Sequence, residues 1–188
     1  MENWLASSPW IGVILWVVLY VSDYYLTVYS ARGYREINIF HYEGSFELTP
    51  QFQKDIDALK PISRLHLILL FFYSFLILLL WWLTSLTPYL NGVYTLYLGM
   101  FLLIEVAVHF RHFRSVFLIR EIRKHGGVEG QITYRRWFTY KLSAHDLYSF
   151  AGVFLLVAAL TYSPFFLGGA IMCAGTGFKH SLLARKAK

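Results

Sequence analysis

The sequence has little charge and almost no cysteine, and these shortages exclude several kinds of protein. Charged residues make up 15% of the 188 residues, whereas a soluble domain usually carries about 25%. The single cysteine, Cys173, allows no intrachain disulfide and no CxxC metal or redox motif. We therefore expect neither a disulfide-stapled domain nor an ordinary soluble one.

Several catalytic and binding motifs are also missing. The sequence has no HExxH zinc motif and lacks the dense histidine boxes that membrane di-iron enzymes carry. Gly175-Thr-Gly177 lacks the preceding strand and the longer glycine pattern of a nucleotide-binding loop. We expect no nucleic-acid partner, because membrane topology accounts for the net charge of +6.

Apolar residues are abundant instead. The chain is 57% hydrophobic and 19% aromatic, and its apolar runs of about 20 residues match the length of helix that a bilayer core requires. No basic segment precedes the first run, so we expect a first membrane span rather than a cleaved signal peptide. The composition predicts an all-α fold, a polytopic integral membrane helix bundle.

Breaks in the apolar runs predict four to five membrane segments within a single membrane domain, residues 1–188. Ser8-Pro9 begins the first segment. Ser163-Pro164 divides the stretch 147–178 into a short Pro/Gly-broken hairpin, and the alternative is one long helix kinked at Pro164. The expected spans are 10–29, 64–86, 92–112 with a cytosolic extension to 125, 147–162 and 165–180.

The connecting segments carry weaker signals. Phe52, Ile56 and Leu59 share one face of an amphipathic helix over 50–60, which lies on the membrane surface or packs on the protein itself. A turn at Glu43-Gly44 predicts an irregular hairpin. Residues 128–142 are typical of an interfacial segment, and Ser143-Ala-His-Asp146 is typical of a capping box for the next helix.

Positive charge predicts the orientation. Loop 30–64 has five Lys or Arg residues and loop 111–141 has eight, whereas the N-terminus and the turn 84–92 have none. The positive-inside rule then places both loops in the cytosol and the N-terminus outside, in a plasma or inner membrane. The basic C-terminal tail is also expected in the cytosol, which requires five segments or four plus a re-entrant hairpin, and we expect five. Trp81, Trp82 and Tyr89 near span ends are typical of the interfacial aromatic belt.

Two carboxylates lie inside the predicted spans. Asp23 lies nine residues before Arg32, and Glu105 lies six residues before Arg111. At 1.5 Å per residue, both carboxylates are roughly 9–14 Å from the inner boundary. Buried charges in a membrane usually face a bundle interior or a watery cavity, so these two are expected to share a site.

Histidines extend this site. Glu105, His109 and His112 follow an i, i+4, i+7 spacing and occupy one stripe of a helix, whereas Arg111 and Arg114 are expected on the other side. His66, and His145 with Asp146, enter their spans near the same boundary. The expected cytosol-facing polar pathway comprises Asp23, Glu105, His109, His112 and His66.

This constellation has three interpretations. It is an ion or proton pathway, a transition-metal site, or a set of structural ion pairs between helices. Glu and His ligands together with water suit a transition metal such as zinc, iron or copper. The candidate metal ligands are Glu105, His109, His112 and Asp23.

The arginines after this stripe are expected to contact lipid. Arg111, Arg114, Arg120 and Arg123 lie at and beyond the cytosolic end of the third span, where they would attract anionic headgroups. A voltage-sensing helix is the alternative.

Three functions remain open. The first is a small oligomeric ion or proton channel or transporter-like protein. The second is a membrane-embedded, metal-dependent enzyme acting on an apolar or lipid substrate, and the third is an accessory subunit of a larger membrane complex. Small residues in the last segment, GGAIMCAGTG, favour close helix packing within the chain or at a homo-oligomer axis.

Overall fold

The structure, a computed structural model, describes residues 2–87 and 90–188, so Tyr89 of the expected aromatic belt lies outside the described residues. The chain is nearly all helical there, which confirms the all-α prediction. The helices are α1 (Glu2–Ser7), α2 (Pro9–Ile37), α3 (Gln53–Asp57), α4 (Arg64–Ser85), α5 (Asn91–His125), α6 (Arg136–Thr161) and α7 (Pro164–Lys186). The strands are β1 (Phe40–Tyr42) and β2 (Ile132–Tyr134).

Four helices of the described chain are long and apolar enough to cross a membrane. They are α2, α4, α6 and the Gly92–His125 part of α5. The fifth expected segment, α7, has 23 residues but lies outside this set, because glycines and polar residues interrupt its apolar side chains.

The last two helices are separate but not short. α6 ends at Thr161, Tyr162 adopts a left-handed φ of 52°, and the Ser163 hydroxyl caps α7 by accepting from the Phe166 amide. The expected start at residue 147 and the capping box at Ser143 are wrong. α6 begins at Arg136 instead, because its early residues carry a buried face that packs within the bundle.

The expected hairpin at Glu43-Gly44 is also wrong. β1 pairs in parallel with β2, so Tyr42 lies opposite Tyr134, and their rings stack with centroids 5.3 Å apart. The partner of β1 lies in the loop between α5 and α6, because aromatic side chains of the two loops pack on each other. β1 therefore does not pair with a neighbouring strand across the turn at Glu43-Gly44. The pairing joins the two loops into one layer.

The amphipathic segment packs on the protein. Only Gln53–Asp57 forms a helix, and Ile56 is 1% exposed against Tyr24 and Val28 of α2. Phe52 and Leu59 pack against the same cluster. Its apolar face therefore covers α2.

α5 is the central helix. α2 and α4 pack on it and on each other, and α7 packs on both α5 and α6. Gly12 of α2 faces Leu98 and Gly33 faces Ile119, so α2 and α5 run parallel. α7 also runs parallel to α5, since Phe165 lies against Gly99 and Gly169 against Leu103.

These directions give the bundle two distinct ends. The loop end carries segments 38–63 and 126–135, and the turn end carries the end of α4, the start of α5 and the connection at residues 162–163. Buried apolar side chains fill the turn-end half, among them Trp16, Leu98, Leu102 and Phe165. The polar residues described next lie nearer the loop end.

Candidate functional site

The polar site lies between α2 and α5. Asp23, Glu105 and His109 each present one ligand atom, and these three atoms lie within 4.8 Å of one another. The parallel packing of the two helices produces this arrangement, because residue 23 of α2 meets the 105–112 stretch of α5 at the same level. The group matches the ligand types and the reach of a single metal ion.

His109 is held in one tautomer. Its Nδ1 lies 2.7 Å from the Glu105 main-chain oxygen, which can only accept, so Nδ1 carries the proton. In the neutral ring Nε2 is then the acceptor nitrogen, and it lies 2.7 Å from the Ser22 hydroxyl, whose single proton is shared between Nε2 and the Leu19 main-chain oxygen at 3.0 Å. A backbone carbonyl that fixes the other ring nitrogen is the usual support for a metal-binding histidine.

His112 has a different role from His109. Its Nε2 lies 3.1 Å from Thr27 Oγ1, and the Thr27 hydroxyl donates to the Asp23 main-chain oxygen at 2.9 Å. Thr27 thus accepts the His112 N–H. The same nitrogen lies 2.9 Å from Asp23 Oδ1, outside hydrogen-bond geometry, so this contact is electrostatic. His112 therefore positions Asp23 rather than joining the group of three.

Two carboxylate oxygens of the site are buried without a hydrogen-bond donor. Asp23 Oδ1 and Glu105 Oε2 have no hydrogen-bond partner within the described ranges 2–87 and 90–188. Burying a carboxylate without a partner is costly, and placing two close together adds repulsion. A cation or a shared proton between them would relieve both costs.

A cavity of about 580 Å³ adjoins this group on the loop-end side. Asp23, Glu105 and His112 line it, and His109 lies outside the lining. Its volume is in the range typical of small-molecule sites, about 300–1,000 Å³.

His66 forms an aromatic wall of the cavity. Its ring stacks on Tyr20 with centroids 4.1 Å apart and interplanar angle 3°, and it lies 4.6 Å from the Tyr24 ring. Its Nε2 is buried and has no hydrogen-bond partner in the described part of the chain. The imidazole is thus held in place at a cavity-lining position, and its Nε2 is buried behind the ring edge rather than bonded.

Arg111 and Arg114 do not lie apart from the Glu105 stripe. Both line the same cavity as Glu105 and His112, because the cavity surrounds more than one face of α5 and long side chains reach into it. Arg111 donates to Ser143 Oγ on α6, and Arg114 lies 3.2 Å from Asp146. The expectation that both arginines face the other side is therefore wrong.

Three of the remaining predicted residues, Arg120, Arg123 and His145, lie outside the cavity lining. Arg120 is exposed, and Arg123 pairs with Glu36 of α2. His145 is exposed, whereas its neighbour Asp146 lines the cavity. Contact of the outer arginines with lipid headgroups stays a prediction.

Residues 45–49 cover the loop end of the cavity. Arg136 donates to the main-chain oxygens of Ser45 at 2.6 Å and Glu47 at 3.2 Å. Tyr140 donates to the Leu48 oxygen at 3.2 Å. We refer to residues 45–49 as the roof; its anchors lie in a segment that the sequence indicated only as basic and aromatic.

Glu47 is the buried acid of the roof. Its Oε1 accepts the Thr49 amide hydrogen at 2.6 Å. Burial raises the pKa of Glu47 above its ordinary value, and the hydrogen bond from Thr49 opposes that rise only in part.

Comparison with protein-family models, curated proteins and solved structures found no match. The geometry of the site is therefore the basis for assigning a function.

Proposed function

We propose that the protein is an integral membrane enzyme that binds one divalent transition-metal ion and acts on an apolar or lipid substrate. Asp23, Glu105 and His109 are the proposed ligands. The observation that carries the proposal is their convergence within 4.8 Å beside a cavity of about 580 Å³.

The proposed topology has five segments, with the N-terminus outside and the loop end in the cytosol. Four helices have the length and apolar character for it. Because α2, α5 and α7 run parallel, both basic loops and the basic C-terminal tail emerge at the same end, as positive-inside requires. In this arrangement the cavity opens toward the cytosol.

The donor set favours zinc or iron. Two carboxylates and one imidazole leave room for water or substrate, which is the feature that separates catalytic from structural metal sites. The bound ion would polarise a substrate oxygen or lower the pKa of a bound water. His66, with Nε2 free of hydrogen bonds, is the proposed proton carrier on the cavity wall.

Packing favours an enzyme over a channel. A path across the bilayer through one chain would have to pass the turn-end half, where Trp16, Leu98 and Leu102 are at most 3% exposed. The site therefore resembles a pocket with one entrance. Transport through an oligomer, or a role as a subunit of a larger complex, is a second outcome that the experiments below distinguish.

Metal analysis of the purified protein tests the proposal. We expect about one zinc or iron per chain, lost on chelation and recovered on adding the ion back. Asp23→Asn, Glu105→Gln and His109→Gln should each remove stoichiometric binding, since each deletes one of three ligands. His145→Gln, an exposed histidine outside the lining, is the matched control.

Two results would contradict the proposed enzyme function. One is the absence of stoichiometric metal both as purified and after zinc or iron is added. The other is ion or proton flux in liposomes that Glu105→Gln abolishes while metal content stays unchanged, because that result would assign Glu105 to a transport pathway.

A further inference from the structure

Arg111 is a cavity-lining cation with no acidic partner. It is half-buried on α5, donates to the Ser143 hydroxyl, and forms no ion pair with any residue that the structure describes. The acids nearest in the cavity have other partners: Asp146 lies beside Arg114, and Glu47 accepts the Thr49 amide. Arg111 therefore has no direct ion pair in the described chain, and the carboxylates that share its cavity, Asp23, Glu47, Glu105 and Asp146, leave its N–H groups other than the one on Ser143 without a bonded acid.

A second cation lines the cavity from α7. Lys179 is a lining residue, and it too has no ion pair within the described chain. The adjacent His180 lies 2.9 Å, at Nδ1, from the same Ser143 hydroxyl that Arg111 contacts. Arg111, Lys179 and the hydrogen-bonded pair of Ser143 and His180 thus line the cavity from three helices, and we refer to them as the donor group.

The chemistry of this donor group suits phosphate. Arginine presents several N–H donors in a planar fork, and lysine adds a compact charge, so together they match an anion with several oxygens. Thr139 and Thr176 add hydroxyl groups to the cavity lining.

The donor group is distinct from the proposed metal site. Arg111 follows Glu105 by six residues (111 − 105) on one helix, which corresponds to about 9 Å along the axis. One ligand of moderate size can therefore span both. Aromatic side chains between α2 and the roof, including Tyr20, Tyr24 and Phe46, line the cavity and suit an apolar portion.

We propose that Arg111 and Lys179 form a subsite for the phosphate monoester group of an amphiphilic substrate. The proposal rests on the proposed function, since it names the substrate class of the same cavity. A phosphate monoester presents more negative charge to Arg111 and Lys179 than a choline diester does, and the diester adds a cation.

Binding of short-chain lipids to the purified full-length protein tests the subsite. The probes are dihexanoyl phosphatidic acid, dihexanoyl phosphatidylcholine and inorganic phosphate, measured by calorimetry below their micelle concentrations. We expect saturable one-to-one binding of the phosphatidic acid. Lys179→Gln and Arg111→Gln should each weaken it by about tenfold, as loss of a charge-assisted hydrogen bond predicts.

Arg120→Gln is the control, because it removes an exposed arginine of the same helix that does not line the cavity. Equal affinity of wild type and Lys179→Gln would overturn the subsite, and Lys179 is exposed, so that variant is expected to fold. Equal binding of phosphatidylcholine would overturn the monoester preference. If inorganic phosphate binds as tightly as the lipid, the subsite recognises a soluble phosphate compound. That result would overturn the proposal that the substrate is amphiphilic.

The same titration separates this proposal from the metal site. In wild-type protein stripped of metal by chelation, phosphatidic acid should bind with an affinity within about threefold of that for the metal-loaded protein, because Arg111 and Lys179 remain. Failure of metal binding with lipid binding intact contradicts only the metal. Loss of the wild-type preference for phosphatidic acid while metal still binds overturns only the subsite.

Discussion

His112 Nε2 lies 2.9 Å from Asp23 Oδ1, and this contact joins α5 to α2 within the site. The nitrogen also meets Thr27 Oγ1, whose hydroxyl is directed to the Asp23 main chain. Asp23 is therefore positioned by a neighbour on its own helix and by one on the helix opposite. We expect Asp23, a proposed metal ligand, to depend on His112 for its orientation.

His112→Gln should weaken metal binding without abolishing it. Residues that orient a ligand typically contribute about 10- to 100-fold to metal affinity, whereas Asp23→Asn removes a ligand. Competition against a calibrated chelator would measure both affinities, with His145→Gln as the control. Wild-type affinity in His112→Gln would show that Asp23 needs no support from α5.

Gly168→Ala should destabilise the bundle. A Cβ at residue 168 would lie 1.9 Å from the Leu96 main-chain oxygen, so α5 and α7 would have to separate. Overpacking of this kind costs about 1–3 kcal/mol, and because the obstacle is backbone we expect the upper end of that range.

Gly175→Ala is the matched control on the same helix. A Cβ there meets nothing within 4 Å, and alanine favours a helix over glycine by up to about 1 kcal/mol. Unfolding of both variants in detergent would measure the difference. Equal stability of the two would mean that α5 and α7 are not in close contact at Gly168.

Glu47→Gln should change how stability depends on pH. Burial raises the pKa of Glu47 in the fold, so the unfolded chain loses the proton first as pH rises above the ordinary value of about 4.3. Wild-type stability contributed by this group is therefore full below that pH and is lost as pH rises through the raised pKa. Glutamine keeps the oxygen that accepts from Thr49 but does not ionise.

The thermal midpoint of Glu47→Gln minus that of wild type should therefore grow with pH and then level off. Scans from pH 4 to pH 8 would measure it. Glu129→Gln, at an exposed acid of the second loop, should give a flat difference. A difference that shrinks with pH would mean that the fold stabilises the charged form of Glu47.

Arg136→Gln should loosen the roof. Arg136 donates to the main-chain oxygens of Ser45 and Glu47, and the shorter amide of glutamine cannot reach both. Hydrogen exchange of residues 43–52 should then accelerate at least about tenfold, as loss of roughly 1.4 kcal/mol of local stability predicts. Arg135→Gln is the exposed control, and equal exchange in both variants would mean that other contacts hold the roof.

The sequence predicted much of the helical fold because membrane-length apolar runs and proline caps are local signals. Pro9 and Pro164 begin helices where the pattern placed them. Counting residues from the predicted inner membrane boundary placed Asp23 and Glu105 at a similar depth, and the structure brings them into one group. Counting residues works here because each residue advances the same distance along a helix axis and α2 and α5 run parallel.

The spacing of residues along α5 could not predict that His109 and His112 have different roles. His109 and His112 differ because one meets Ser22 and the other meets Thr27, and helical spacing contains no information about the opposite helix. The pairing of β1 with β2 was missed for the same reason, since the partner of Tyr42 lies in another loop. Arg111 was misplaced because its long side chain reaches into a cavity that extends around α5.

The parallel pairing of β1 with β2 also sets an order of assembly. A ribosome finishes α2 and β1 long before it reaches Ile132, and α4 and α5 must be in place before the two strands can meet. A nascent chain ending at residue 125 would hold Asp23 and Glu105 but lack the Arg136 and Tyr140 anchors of the roof. The proposed metal ligands are thus all synthesised before the residues that anchor their cover.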